Sequence, residues 1–129
     1  MHEPDPGSEQ AMQTALAQEL LAIHRESYGR GAVAARMYIH EDAAFCMLDG
    51  LELLPNEEFM IEQGHADAVI EIRGKYQAAI EATFRAAVER HTGRTVISFA
   101  SVTKLDPSYA VEIFRLGPPS ARDEALPSV

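Results

Sequence analysis

The chain has 129 residues, 47% hydrophobic and 24% charged, and its 20 Asp and Glu outweigh 11 Lys and Arg to leave a formal charge of −9. That length suits one domain able to bury a core without disulfides, and the lone Cys46 permits no intrachain bridge. With no basic run there is no counterion release to drive nucleic-acid binding, no charge to hold an anionic membrane, and no stretch near the roughly 20 apolar residues that span a bilayer.

Residues 1–8 are rich in Pro, Gly and acid and are expected to be a disordered tail. They lack the basic and apolar regions of a signal peptide, so the expected compartment is the cytoplasm. The single folded domain is expected over 9–116. A flexible tail is expected over 117–129, which carries Pro118, Pro119 and Pro127. A first helix over 9–28 follows from the apolar stripe Met12, Leu16, Leu20 and Ile23, with Ser8 as N-cap and Gly29 at the left-handed C′ position. Strands follow at 33–40 and 43–49. In the first, Val33, Ala35, Met37 and Ile39 alternate with Arg36, Tyr38 and His40. Glu41 and Asp42 make the turn between the strands, and Asp49-Gly50 ends the second.

Pro55 opens a short helix over 55–63, and Gly64 stops it. A long helix over 66–92 places Val69, Arg73, Tyr76, Ile80, Phe84, Ala87 and Val88 on its inner face, with Glu81–Arg85 as an outer i,i+4 pair. A kink at Gly74 is allowed for, and Gly93 ends the helix. Residues 95–102 and 108–116 form a second hairpin around Lys104-Leu105-Asp106-Pro107.

A shift of 64 residues lays Gly29-Arg30 on Gly93-Arg94 and Asp42 on Asp106. It also matches Leu20 with Phe84 and Val33 with Ile97. The fold class is therefore α+β, two α-β-β units forming a four-stranded antiparallel sheet with helices packed on one face. The other face needs cover, and a homodimer through it is expected.

Gly29-Arg30-Gly31 and Gly93-Arg94 read first as structural turns after helix C-termini, because anion loops favour helix N-termini. With both helix ends facing one edge, Arg30, Arg73 and Arg94 would converge in an arginine-lined cleft for a small anion or nucleotide. Gly29, Gly31, Asp42, Gly93 and Asp106 are turn residues in either case. Cys46, between Phe45 and Met47, reads as a buried, inert thiol. His2, His24, His40, His65 and His91 show no metal-ligand spacing, and no nucleophile, phosphate-loop or redox motif is present. Neither a catalytic set, a metal nor a cofactor is expected, and an enzyme is the weakest of three function classes.

Tyr28-Gly29-Arg30-Gly31, Leu53-Leu54-Pro55-Asn56-Glu57, Arg73, Thr92-Gly93-Arg94-Thr95-Val96 and Glu112-x-Phe114-x-Leu116 occur in order across residues 15–116. Together they resemble the blocks of a bacterial family, the MpsC-like domain, named for a sodium-translocating system that generates membrane potential. Ala32 stands where that family has proline, and Leu54 where it has a helix-capping threonine. The resemblance implies a small cytosolic accessory or regulatory domain, coupled to cation or bicarbonate transport, with a membrane-transport or signalling protein as partner. Without a membrane span, the chain would not translocate anything alone.

Overall fold

In the computed structural model, which describes residues 6–28 and 31–119, helix α1 runs Pro6–Tyr28. It starts earlier than the sequence suggests. Proline suits the first turn, where its missing N–H would be unsatisfied anyway, so Ser8 lies inside the helix rather than capping it. The expected turn at Gly29-Arg30 lies outside the described residues. Leu16, Ala17, Leu20, Leu21, His24 and Tyr28 are buried, so the inner stripe keeps Leu16 and Leu20 of the expected four and is rotated slightly away from Met12 and Ile23, which are half-buried.

Strand β1 (Ala32–His40) pairs antiparallel with β2 (Ala43–Leu51) round the Glu41-Asp42 turn. Asp49-Gly50 does not end β2. Gly50 takes φ 63°, which only glycine adopts cheaply, and the strand continues to Leu51 in the core. At the same level Val33 is 59% exposed, and Ala32 is buried in its place.

Helix α2 (Pro55–Glu62) and helix α3 (Ala66–Thr92) follow. α3 has the extent expected of it and runs unbroken through Gly74. It ends at Gly93 in the left-handed conformation (φ 70°), whose N–H donates to the Glu89 carbonyl. Its buried face is Val69, Arg73, Gln77, Phe84, Ala87 and Val88, while Tyr76 is 47% exposed. Gln77 thus takes the inward position assigned above to Tyr76. On the outside, Arg85 meets Glu81 at 2.8 Å.

Strands β3 (Arg94–Leu105) and β4 (Ser108–Pro119) form the second hairpin, longer than expected at both ends, so Gly117–Pro119 belong to the sheet. The turns are Glu41-Asp42 and Asp106-Pro107, one residue out of step with the 64-residue offset.

The sheet order is β1-β2-β4-β3, all antiparallel. α1 packs on β1 and on α3, and α3 packs on β3, so both long helices cover one face. The core between them includes Leu16, Leu20, Leu48, Phe84, Val88 and Phe114. The two units are related by an approximate twofold between β2 and β4, which sets α1 and α3 antiparallel. Glu19 of α1 meets Arg90 and His91, whereas Tyr28 meets Arg73. The two helix ends therefore point to opposite edges, contrary to the expectation that they share one.

Candidate functional site

The alternation of β4 points Ala110, Glu112, Phe114 and Leu116 at the helices. Glu112 is 0% exposed, and neither carboxylate oxygen has a hydrogen-bond partner. Its register partners are Cys46 on β2 and Ser101 on β3. Burial pushes the Glu112 carboxyl up to about 7, opposed by the nearby Ser101 hydroxyl. Burial likewise pushes the Cys46 thiol up to about 12, with the Glu112 charge adding to it. A fully buried thiol of that kind is not a nucleophile at neutral pH.

Above this layer α1 and α3 present His24, Tyr28, Arg73 and Gln77. His24 is 0% exposed with both ring nitrogens unpartnered; burial, then the Arg73 charge, push its protonation down to about 4. Gln77 has an unpartnered amide oxygen, and it lines a surface groove with Ser101. Arg73 is 1% exposed. Its guanidinium lies 4.8 Å from the centre of the Tyr28 ring, and the Tyr28 hydroxyl donates to the Arg73 carbonyl at 3.1 Å. Burial pushes the Tyr28 hydroxyl well up.

Arg73 also donates twice to Glu57, at 2.8 Å to each oxygen. Glu57 sits in the first turn of α2 and accepts the Leu54 N–H at 2.8 Å. It therefore reaches back to the helix start as the acid of a capping box does, although Leu54 supplies no capping side chain. Burial raises the Glu57 carboxyl, but Arg73 and the Leu54 N–H outweigh it and hold it below the ordinary range. This pair ties α2 to α3. Outside it lies a cleft of about 140 Å³ lined mainly by apolar side chains, among them Tyr28, Met60, Val69, Ile72 and Tyr76, with Glu57 as the charged wall.

Of the three arginines singled out from the sequence, Arg30 lies outside the described residues. Arg73 is spent on Glu57. Arg94 donates to the carbonyls of Gly117 (2.7 Å) and Glu41 (2.8 Å) and to the Asp42 carboxylate (2.7 Å). It thus ties the start of β3 to the β1–β2 turn. Arg73 lies in the first third of α3 and Arg94 just past its C-terminus, roughly 30 Å apart at about 1.5 Å per residue, so they share no cleft. Gly31 has φ 71°, and a Cβ there would fall 2.9 Å from His24 Nδ1 and from Arg25. It is a turn residue demanded by the packing of α1. Gly93 is the C-cap described above. Asp42 is the acceptor for Arg94, and Asp106 opens the second turn.

None of Glu57, His24, Gln77 and Glu112 was given a site role from the sequence: Glu57 and Glu112 entered only in the blocks of the family resemblance, and His24 only as a histidine without metal-ligand spacing. Glu112 was within reach, since it shares the even-numbered alternation of Phe114 and Leu116. Among the described residues no group of His, Cys, Asp or Glu is arranged to hold a metal ion, and no helix is long and apolar enough to cross a membrane.

The uncovered face of the sheet carries Tyr38, Phe45, Ile113 and Ala100 in one cross-strand row and Arg36, Met47, Val111 and Val102 in the next. Tyr38 is 50%, Phe45 38% and Val102 44% exposed. Its charged groups stand toward the rim: Arg36 paired with Asp49 at 2.9 Å, Lys104 and Arg115.

A family model described as the Na+-translocating membrane potential-generating system (MpsC) matches residues 8–117. No curated protein and no solved structure matches the chain.

Proposed function

The chain belongs to the MpsC family, and from that premise we propose that it is an accessory or regulatory domain of a membrane-potential or cation-transport system, acting through protein contacts and without catalysis. The observation that carries this reading is the open sheet face. Phe45, Met47, Val111 and Ile113 form its centre on the two middle strands, and among the described residues no helix lies over them. An apolar sheet face of this kind is a site for association.

The occupant proposed is a second copy. Four strands about 4.8 Å apart and some 30 Å long offer roughly 600 Å² of flat sheet, comparable with the roughly 800 Å² that one partner brings to a standard interface. The approximate twofold makes the centre self-complementary, because each middle strand meets an equivalent strand of the other copy. Arg36, Asp49, Lys104 and Arg115 sit off the centre, so stacking two faces does not force like charges together.

Light scattering on a sizing column tests this. A dimer at micromolar concentration is expected, with Phe45→Glu giving a folded monomer. A wild-type monomer would remove the dimer. Pull-down from membranes of a native host tests the accessory role, and recovery of no transport or signalling protein would count against it.

A further inference from the structure

Between α3 and the edge strand β3 runs a groove of about 270 Å³, walled by Gly74, Gln77 and Glu81 on the helix and by Phe99, Ser101 and Thr103 on the strand. A Cβ on Gly74 would meet nothing within 4 Å, so the groove is open to solvent there. Its floor is polar. The Gln77 amide oxygen and the Ser101 hydroxyl oxygen are both buried without a hydrogen-bond partner, and Gln77 is 3% exposed. Behind Ser101, in the same cross-strand row, stands Glu112, 0% exposed and with neither oxygen bonded. Side chains paired across strands in this way stand about 5 Å apart. The Ser101 hydroxyl is near enough to favour the Glu112 charge, although short of a hydrogen bond in its geometry. Buried polar atoms without partners are costly, and a buried carboxylate more so.

We infer that this groove binds a short primary alkylammonium ion, whose N–H groups donate to Gln77 Oε1 and Ser101 Oγ while the Glu112 carboxylate behind Ser101 supplies the counter-charge.

The donor set selects the ligand. Both floor atoms are acceptors, and an ammonium group has three donors and no acceptor. A hydroxyl has one donor and two acceptor sites, so Ser101 can donate to Glu112 and accept from the ligand at once. Glu81 is the one charged side chain in the wall, and Arg85 already pairs with it at 2.8 Å. The charge left for a ligand is therefore that of Glu112. Ile70 and Phe99 offer apolar surface beside the floor for a short alkyl chain.

The molecule carries its own comparison. A groove between α1 and β1 has the same construction, and the 64-residue shift lays Gln13 on Gln77 and Met37 on Ser101. There the strand offers a thioether in place of the hydroxyl. Cys46 rather than an acid stands behind Met37 in the row, and Arg36 adds a cation to the wall. Nothing in that groove attracts an ammonium ion.

The experiment titrates the nitrogen-15-labelled full chain with butylammonium chloride at pH 8, where the Glu112 carboxyl, pushed up to about 7, is mostly ionised. Sodium chloride at equal ionic strength and tetramethylammonium chloride, which has no N–H, are the controls. Saturable shifts are expected at the Gly74 and Ser101 amides and at the Gln77 side-chain amide, with a midpoint on the order of 1 mM, and none at Gln13 or Met37. Ser101→Ala is expected to raise the midpoint about tenfold, the loss of one hydrogen bond to a charged group, and Glu112→Gln at least as much. Gly74→Leu fills the open side of the groove with a better helix former and is expected to abolish the shifts. It keeps the test decisive if the buried substitutions unfold the chain. No saturable shift in the wild type would mean that water alone serves these atoms, and would overturn the site. Equal shifts with either control, equal shifts in both grooves, or an unchanged midpoint in folded Glu112→Gln or in Gly74→Leu would overturn it too.

Discussion

At position 48 the first α-β-β unit buries a leucine. Sixty-four residues on, the second buries a carboxylate, and Leu48 and Glu112 are both 0% exposed on a helix-facing pleat of a middle strand. The helices show the same contrast. Leu20 of α1 and Phe84 of α3, matched by the same offset, are both 0% exposed and apolar. Yet α3 also buries Arg73 and Gln77, and α1 places His24 beside them. The shared positions build the fold. The unshared ones concentrate polar groups at one end of α3, next to the cleft and away from the Arg94 turn. A duplicated plan can carry such a cluster because the apolar half already secures the sheet. Buried charge is retained at a cost in stability, and here that cost is confined to one end of the molecule.

The largest test of that comparison is the matched pair of truncations. Phe84→Ala is expected to cost about 3–5 kcal/mol and Leu20→Ala about 2–5 kcal/mol, from lost burial plus the cavity left behind. Urea unfolding measures both. Similar losses would mean that the units contribute equally to one core. A loss confined to one would break the symmetry that the fold displays.

The next effect is electrostatic, with two opposed signs. Glu112 is raised from 4.5 to about 7 on folding. The folded state therefore holds its proton where the unfolded state has lost it. The contribution is fully present below about pH 4.5 and is lost as pH rises to about 7. His24 is lowered from 6.5 to about 4. Its contribution is fully present above about pH 6.5 and is lost as pH falls to about 4. Each shift corresponds to about 3 kcal/mol, and the windows overlap, so the wild-type profile is expected to be nearly flat from pH 5 to 6.5. Glu112→Gln is expected to expose a rise in stability with pH across that range, and His24→Leu a fall. Melting temperatures at half-unit pH steps check both slopes. Flat profiles in both variants would mean that neither group is held in its neutral form.

Much of the fold follows from short-range signals. α3 is bounded by a helix start after His65 and by a left-handed Gly93, and both are local. The alternation of β1 and the turns at Asp42 and Asp106 are local too. Where local reading went astray, a neighbour in space decided. Gly50 stays in β2 because Ala32 pairs with Leu51 and Ala34 with Asp49 on either side of it, and Asp49 is held by Arg36 across the strand. Gln77 rather than Tyr76 faces inward, one step of 100° on the helix, because the sheet lies where it does. The Glu57–Arg73 pair was out of reach. Both residues were noticed, one in the Leu53–Glu57 block and the other as a member of the arginine cleft, but nothing in the 15 residues between them showed that each is the other's partner. Glu112 shows the reverse case. Its inward position was legible from Phe114 and Leu116, and its chemistry went unread because glutamate is ordinarily taken for a surface residue.

The smallest effect concerns the other end of the molecule. Arg94 makes three hydrogen bonds that join the start of β3 to the β1–β2 turn and to Gly117. Two of them reach backbone carbonyls that water could otherwise serve. Arg94→Ala is accordingly expected to cost about 1–2 kcal/mol. Asp42 is 65% exposed on its side chain, so its ion pair is screened, and Asp42→Asn is expected to cost less than about 1 kcal/mol. Urea unfolding of both variants at low and high salt separates the two parts. The Asp42 loss should shrink with salt, while most of the Arg94 loss should survive it, because bonds to carbonyls are not ion pairs. Arg30→Ala, measured alongside, tells whether the first Gly-Arg turn carries a clamp of the same strength. A loss equal to that of Arg94→Ala would extend the twofold plan to the turns, and a much smaller loss would confine the clamp to the second unit.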